Sequence, residues 1–295
     1  MRRFLRLTAS KHEIGEDAFA RLARIVPGEY SATFHARVLD SSPECMEVLR
    51  VLAEAGCVAH GKYEPSAPGK FSLWPNYEYE QVDLDRADYF QMLVHADVET
   101  RYGRSPEGLL NLKQVRWAKK GPLLATGVKA RIVSTPLRAE LEAQGFAGMT
   151  FRPTRVVKGE LLAELQEVPW DKVGCEPYWE LTSSIVLPPL SPRCLLMNEK
   201  GERVREESWS KRAYLMEDQF PAGEFHYRRG DLAGIPPFDV AQTREPLVAG
   251  SDQNLVLSRR VYDFINTRRL KCMWLPVYVD DDGDHIEHAA TRHRA

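Results

Sequence analysis

The chain has 295 residues, 43% of them hydrophobic and 28% charged, with a formal net charge of -2, which is enough for a large core in two domains or one elongated α/β body. The near-neutral balance argues against a dedicated nucleic-acid binder, which would carry a basic surplus, and no run approaches the roughly 18 uninterrupted apolar residues of a membrane span. Cys45, Cys57, Cys175, Cys194 and Cys272 are odd in number and scattered, without a C-x-x-C pair, so neither a disulfide framework nor a zinc knuckle is supported and a reducing cytoplasm is the expected compartment.

In chain order, Met1-Arg2-Arg3-Phe4-Leu5 has the charged start of a signal peptide, but Arg6 interrupts the apolar run and no secretory signal is expected. Helices are predicted around Ala18 to Ile25 and Glu44 to Glu54, with a strand over Tyr30 to Val38 between them. A loop from Gly61 to Gly69 follows. Extended chain over Tyr77 to Val82 then leads into a short helix beginning near Asp83 or Asp85. Ser105-Pro106-Glu107 reads as a capped helix start, Tyr178 to Leu187 as an apolar strand stopped by Pro188-Pro189, and Asn198 to Glu202 as a hairpin turn. From Asp280 onward acids, Gly283 and a His/Arg-rich ending predict a frayed terminus.

One pattern occurs twice. Ile132-Val133-Ser134 leads through Leu137 and Leu141 to Gly145 and then Met149-Thr150-Phe151-Arg152-Pro153, while Val256-Leu257-Ser258 leads through Val261, Phe264 and Ile265 to Met273-Trp274-Leu275-Pro276. Each copy reads as strand, capped helix, strand: Ser134 or Ser258 can accept a hydrogen bond from a helix N-terminal amide, and Pro136 is tolerated in the first turn. Val261, Phe264 and Ile265 share one face at i, i+3 and i+4, and Arg268 and Arg269 favour the negative end of the helix. The expected fold is α+β, with two related strand-helix-strand modules in a two-lobed body with mixed or antiparallel sheets. Its segments are an N-terminal α+β part over 1–65, repeat-bearing modules over 66–168 and 169–282, and a tail over 283–295.

No constellation calls for catalysis. Asp280-Asp281-Asp282-Gly283-Asp284 fails as an EF-hand, because Tyr278 takes the first ligand place and Ala289 the last. His285 and His288 lack a third ligand, and His35, Cys45, Cys57 and His60 match no compact metal spacing. Nucleophile elbows and phosphate loops are missing. Pairs such as Glu164 and Glu167 could serve acid-base chemistry only if folding placed them in a cleft. The clusters Arg228-Arg229 and Arg268-Arg269 read as solvated, salt-bridged faces.

Val82-Asp83-Leu84, the two Ser-initiated helices with Gly148-Met149-Thr150-Phe151 and Met273-Trp274, Tyr178-Trp179-Glu180-Leu181, Leu187-Pro188-Pro189-Leu190, and Asp231-Leu232-Ala233 to Pro237-Phe238-Asp239-Val240 before Leu257-Ser258-Arg259-Arg260-Val261-Tyr262 together resemble the double-CXXCG immunity proteins and related polymorphic-toxin immunity proteins, over roughly residues 70 to 280. The two CXXCG zinc ribbons that define that family are absent, so its metal binding does not carry over. The resemblance implies a cytoplasmic, non-catalytic protein without cofactor that binds one cognate protein toxin and occludes its active or target-binding surface. The side chains suited to such contacts are the acids Asp280, Asp281, Asp282 and Asp284 and the strand Tyr77-Glu78-Tyr79-Glu80, which could mimic an anionic substrate. The competing class is an enzyme, a hydrolase or nuclease-like effector whose carboxylates and histidines assemble only on folding. Neither oligomeric state nor the toxin's identity is legible.

Overall fold

A computed structural model describes residues 2–26, 30, 32–40, 42–60, 69–94, 97–126, 130–191, 194, 196–197, 214–215, 225–245 and 254–281. The Asn198 to Glu202 turn and the tail beyond Asp281 lie outside these residues, as does most of the Gly61 to Gly69 loop. Two compact units result, Met1–Asp85 with Leu215–Gly223, and Arg86–Tyr214 with Glu224–Ala295. No helix among the described residues is long and apolar enough to cross a membrane.

In the first unit, β1 (Arg2–Ser10), α1 (Lys11–Ile14), α2 (Glu16–Ile25), β2 (Thr33–Leu39), α3 (Pro43–Glu54), β3 (Val58–His60), β4 (Lys70–Glu78) and α4 (Gln81–Asp85) follow in order. Its sheet has the order β2-β1-β4-β3, antiparallel except for β3 beside β4. Alternate residues Leu7 and Ala9 of β1 and Phe34 and Ala36 of β2 point into one core, where the apolar stripes of α2 (Ala18, Phe19, Leu22) and α3 (Val48, Val51, Leu52) meet them. The Ser42 hydroxyl accepts from the Cys45 amide at 3.1 Å and Pro43 opens α3, so this start is fixed locally.

The second unit runs β5 (Tyr89–Val94), β6 (Asp97–Val98), β7 (Thr100–Arg104), β8 (Leu110–Lys113), β9 (Leu123–Thr126), β10 (Arg131–Ser134), α5 (Thr135–Ala143), β11 (Met149–Lys158), β12 (Gln166–Val168), α6 (Trp170–Val173) and β13 (Tyr178–Ser183). After the short β14 (Leu196–Met197) and β15 (Tyr214–Leu215) come β16 (Phe225–Arg228), α7 (Arg229–Leu232), β17 (Val240–Gln242), β18 (Leu255–Leu257), α8 (Arg259–Thr267) and β19 (Cys272–Asp280). Both copies of the sequence pattern are therefore strand-helix-strand, as β10-α5-β11 and β18-α8-β19, in an α+β fold with mixed sheets. Ser105-Pro106-Glu107 starts no helix. The Ser105 hydroxyl instead accepts from the Leu109 amide at 3.2 Å and closes a turn, the alternative that short hydroxyl side chains offer a backbone.

The likeness of the two modules extends to their sheets. One contains the path β9-β10-β13-β11-β8, the other is β17-β18-β5-β19-β16. Within each five-strand path, the pair at one end is parallel (β8 with β11, β16 with β19) and the other three pairs are antiparallel. Registers agree residue for residue: Pro153 faces Trp179 and Phe151 faces Leu181, just as Pro276 faces Phe90 and Trp274 faces Met92. Val133 faces Trp179 as Leu257 faces Phe90, and Leu110 lies beside Thr154 as Phe225 lies beside Val277. The helices meet through an edge-on Phe146–Phe264 contact with centroids 5.6 Å apart and an Arg268–Glu140 ion pair.

Differences between the copies are informative. Ser134 receives the Leu137 amide at 3.5 Å, but Ser258 caps no amide; its hydroxyl donates to Asp239 at 2.7 Å, a charged acceptor that outcompetes a helix amide. Gly145 ends α5 at φ +61°, whereas Arg269 holds the same place after α8 at φ +54°. A side chain there carries a penalty that glycine avoids. Arg269→Gly is expected to raise the stability of the second unit by about 0.5–1 kcal/mol, read as a rise in the urea midpoint at unchanged slope.

Candidate functional site

Asp280 and Asp281, adjacent in the chain, do not share one surface. Asp280 ends β19 and is not part of a charged tail; its side chain is buried, with both carboxylate oxygens 3.0–3.1 Å from His226 Nδ1. Asp281, the next residue, points outward and holds Arg229 Nε at 2.8 Å. Alternation along a strand separates them. Reversing the charge of Asp280 would thus bury a cation against His226, so only Asp281 of this pair is a usable surface probe. Asp282 and Asp284 lie outside the described residues.

In the first unit, Glu78 pairs with Arg37, and Glu80 with Arg2 at 2.9 Å, both pairs at the surface. Glu80 also starts α4, its amide donating to Asp83 at 2.9 Å and its carbonyl accepting from the Asp83 and Leu84 amides. Tyr79 is half-buried and Tyr77 lies opposite Arg3 in the β1–β4 ladder. These acids are thus partly neutralised in place, and exposed pairs of this kind add little stability.

Comparing equivalent positions of the two sheets isolates what the scaffold itself does not require. His226 corresponds to Asn111, which binds Arg155 Nε at 2.6 Å, and Asp280 corresponds to the apolar Val157. The His226–Asp280 pair is therefore particular to the second sheet. Cys194 accepts the His226 amide on its sulfur at 3.2 Å, so the described thiol engages the histidine's backbone. Tyr227, next along β16, buries a hydroxyl with no hydrogen-bond partner among the described residues; burial first, then the neighbouring Glu245 and Cys194, pushes its phenol well above the ordinary range. Tyr227→Phe is expected to leave stability unchanged or raise it by up to about 1 kcal/mol, because it removes an unsatisfied polar atom and keeps the ring. A loss above that amount in a thermal melt would reveal a partner for the hydroxyl.

Among the described residues no group of three or more His, Cys, Asp or Glu side chains is placed to hold a metal ion. His35 shares a hydrogen bond with Thr8 at 3.1 Å, Cys45 is buried and Cys57 packs against the first core. Burial pushes the Cys272 thiol up to about 11, which makes it a poor nucleophile at neutral pH.

A feature that the sequence did not single out is an apolar projection on the first sheet. Leu161 and Leu162, in the turn between β11 and β12, are 60% and 65% exposed, and Tyr102 is half exposed nearby. The Tyr102 hydroxyl donates to the Glu160 carbonyl at 2.7 Å, and Arg101 bonds the Glu160 carboxylate at 3.0 Å. Gly159 lets the turn close: a Cβ there would stand 2.7 Å from the Glu164 carbonyl. Tyr102 itself takes φ +54° at an irregularity between β7 and β8, a backbone conformation that surrounding structure must enforce. Adjacent leucines in a polar loop, Leu161-Leu162 between Glu160 and Glu164, are the sequence signal for this projection.

No family profile, curated protein or solved structure matches this chain.

Proposed function

We propose that this chain is a cytoplasmic immunity protein that binds one cognate bacterial protein toxin and neutralises it by covering its active or target-binding surface. The observation that carries the reading is the preformed Tyr102–Leu161–Leu162 projection, with Arg101 and Glu160 at its base. Protein interfaces use such an arrangement, apolar anchors inside a polar rim, and a loop already held by hydrogen bonds loses little freedom on binding. The resemblance of the ordered sequence motifs to those of polymorphic-toxin immunity proteins suggests the same class. Asp281 in the second unit and, separately, Glu78 and Glu80 in the first are proposed as charges that act on encounter rate.

The test is co-expression with the product of the adjacent gene, scored by growth and co-purification. Leu161→Asp with Leu162→Asp is expected to weaken binding at least about tenfold, or 1.4 kcal/mol, and to reduce protection at unchanged melting temperature. Charge reversal at Asp281 should chiefly slow association at low salt. Full protection by the double aspartate variant would remove the projection from the interface.

One observation favours the enzyme reading: a carboxylate fixed on Nδ1 is how a general-base histidine is oriented. His226→Asn separates the two. Protection retained by a folded variant excludes a catalytic role for the pair, whereas protection lost with toxin binding intact would establish one.

A further inference from the structure

The equivalent strands do not come from equivalent places in the chain. Read by register, the first module contributes β8, β9, β10, α5 and β11 to its sheet, and the second contributes β16, β17, β18, α8 and β19 in the same sequence order. The centre of the first sheet, however, is β13, which lies after β11 and just before the second module. The centre of the second sheet is β5, which lies before the first module. The two central strands are alike in sequence: Tyr89-Phe90-Gln91-Met92 and Tyr178-Trp179-Glu180-Leu181. Each then crosses to the other sheet. Asp97 pairs in parallel with Ala125 of β9, and Val186, the same number of residues past its tyrosine, pairs in parallel with Gln242 of β17.

We infer that the second unit is a tandem duplication whose repeats, β5 to β11 and β13 to β19, have exchanged their first strands, so that each completes the other and the two fold and unfold as one. Without β13, β10 and β11 have no hydrogen-bonding neighbour between them; without β5, β18 and β19 are left the same way. Unpaired strand edges in the middle of a buried sheet are costly, so half of the unit lacks what it needs to be stable. Reciprocal exchange of an element between identical protomers is the known route to an interlocked dimer, and here one chain contains both partners. Arg131 of the first sheet adds a tie, donating from Nε and Nη2 to the Met92 carbonyl of β5 at 2.9 and 2.7 Å.

The test uses the full chain with a specific protease site on a flexible insert placed directly after the exposed Gly174, ahead of half-buried Cys175, and cut after folding. Interlocked repeats should stay together as a 1:1 complex on size exclusion in native buffer, part only in denaturant, and melt in one transition. In the uncut chain, Phe90→Ala in β5 should speed amide exchange by about the same factor, at least tenfold, in the most protected strands of both sheets, β10 and β11 as well as β18 and β19. Fragments that separate in native buffer, or exchange that quickens in one sheet alone, would overturn the inference. If Phe90→Ala does not fold, Phe90→Leu takes its place with the same two-sheet readout.

Discussion

Gly148→Ala is expected to be among the most damaging single changes in the chain, lowering the stability of the second unit by about 3–5 kcal/mol and its melting temperature by roughly 10 °C for a body of this size. Two effects combine. At φ +82° a side chain is strained wherever it stands. Beyond that, a Cβ would lie 2.3 Å from the Val240 carbonyl oxygen and 2.9 Å from Ile185 Cδ1. The isoleucine can turn away, but the carbonyl cannot: it accepts from Ser183 Oγ at 2.8 Å, and the Val240 amide donates to Ala147 at 3.0 Å. Relief would require separating the α5–β11 turn from β17. Gly145→Ala is the matched control, since φ there is +61° but no atom of the described residues lies within 4 Å of the added carbon; strain alone should cost about 1 kcal/mol. Equal losses for the two alanine variants in chemical denaturation would mean that the close approach at Gly148 does not decide its cost.

What could be read from the chain follows the range of the interactions concerned. The α2 and α3 helices, β2, and the two strand-helix-strand copies rest on periodicity and caps within a dozen residues, such as Ser42 before Pro43 and Ser134 before Pro136, and these are local facts. Ser258 looked identical to Ser134 and behaves differently because Asp239, distant in sequence, offers its hydroxyl a better partner. The central strands were the hardest part. Tyr178-Trp179-Glu180-Leu181 was visible as a motif, but its relation to Tyr89-Phe90-Gln91-Met92 emerges only from registers, because each pairs with strands of the other repeat. Asp280 at the end of β19 differs for the same reason: a run of aspartates reads as solvated, as exposed Asp281 is, and only His226, far away in the chain, shows that Asp280 turns inward. The leucine projection was legible as composition but not as exposure.

Arg104→Met is the second large effect, with an expected loss of about 3 kcal/mol. Arg104 on β7 reaches across the first sheet to Glu180 on its central strand, donating from Nη1 to Oε2 at 2.9 Å and from Nη2 to Oε1, with Nη1 also on the Gly108 carbonyl. The carboxylate is 3% exposed and the arginine 24%. That asymmetry sets the order of the single variants. Removing Arg104 strands a charge away from water, whereas Glu180→Gln leaves a guanidinium that can still reach solvent and should cost only about 1–2 kcal/mol. The register-equivalent residue of the other sheet is Gln91, buried as an uncharged amide, so this place in the fold accepts glutamine sterically. Arg104→Met combined with Glu180→Gln should therefore recover part of the loss, ending less destabilised than the sum of the two by about 2 kcal/mol. A double-mutant cycle by urea denaturation measures this directly. Additive losses would mean that Arg104 and Glu180 stabilise the sheet independently, and that the fork between them contributes no coupling of its own.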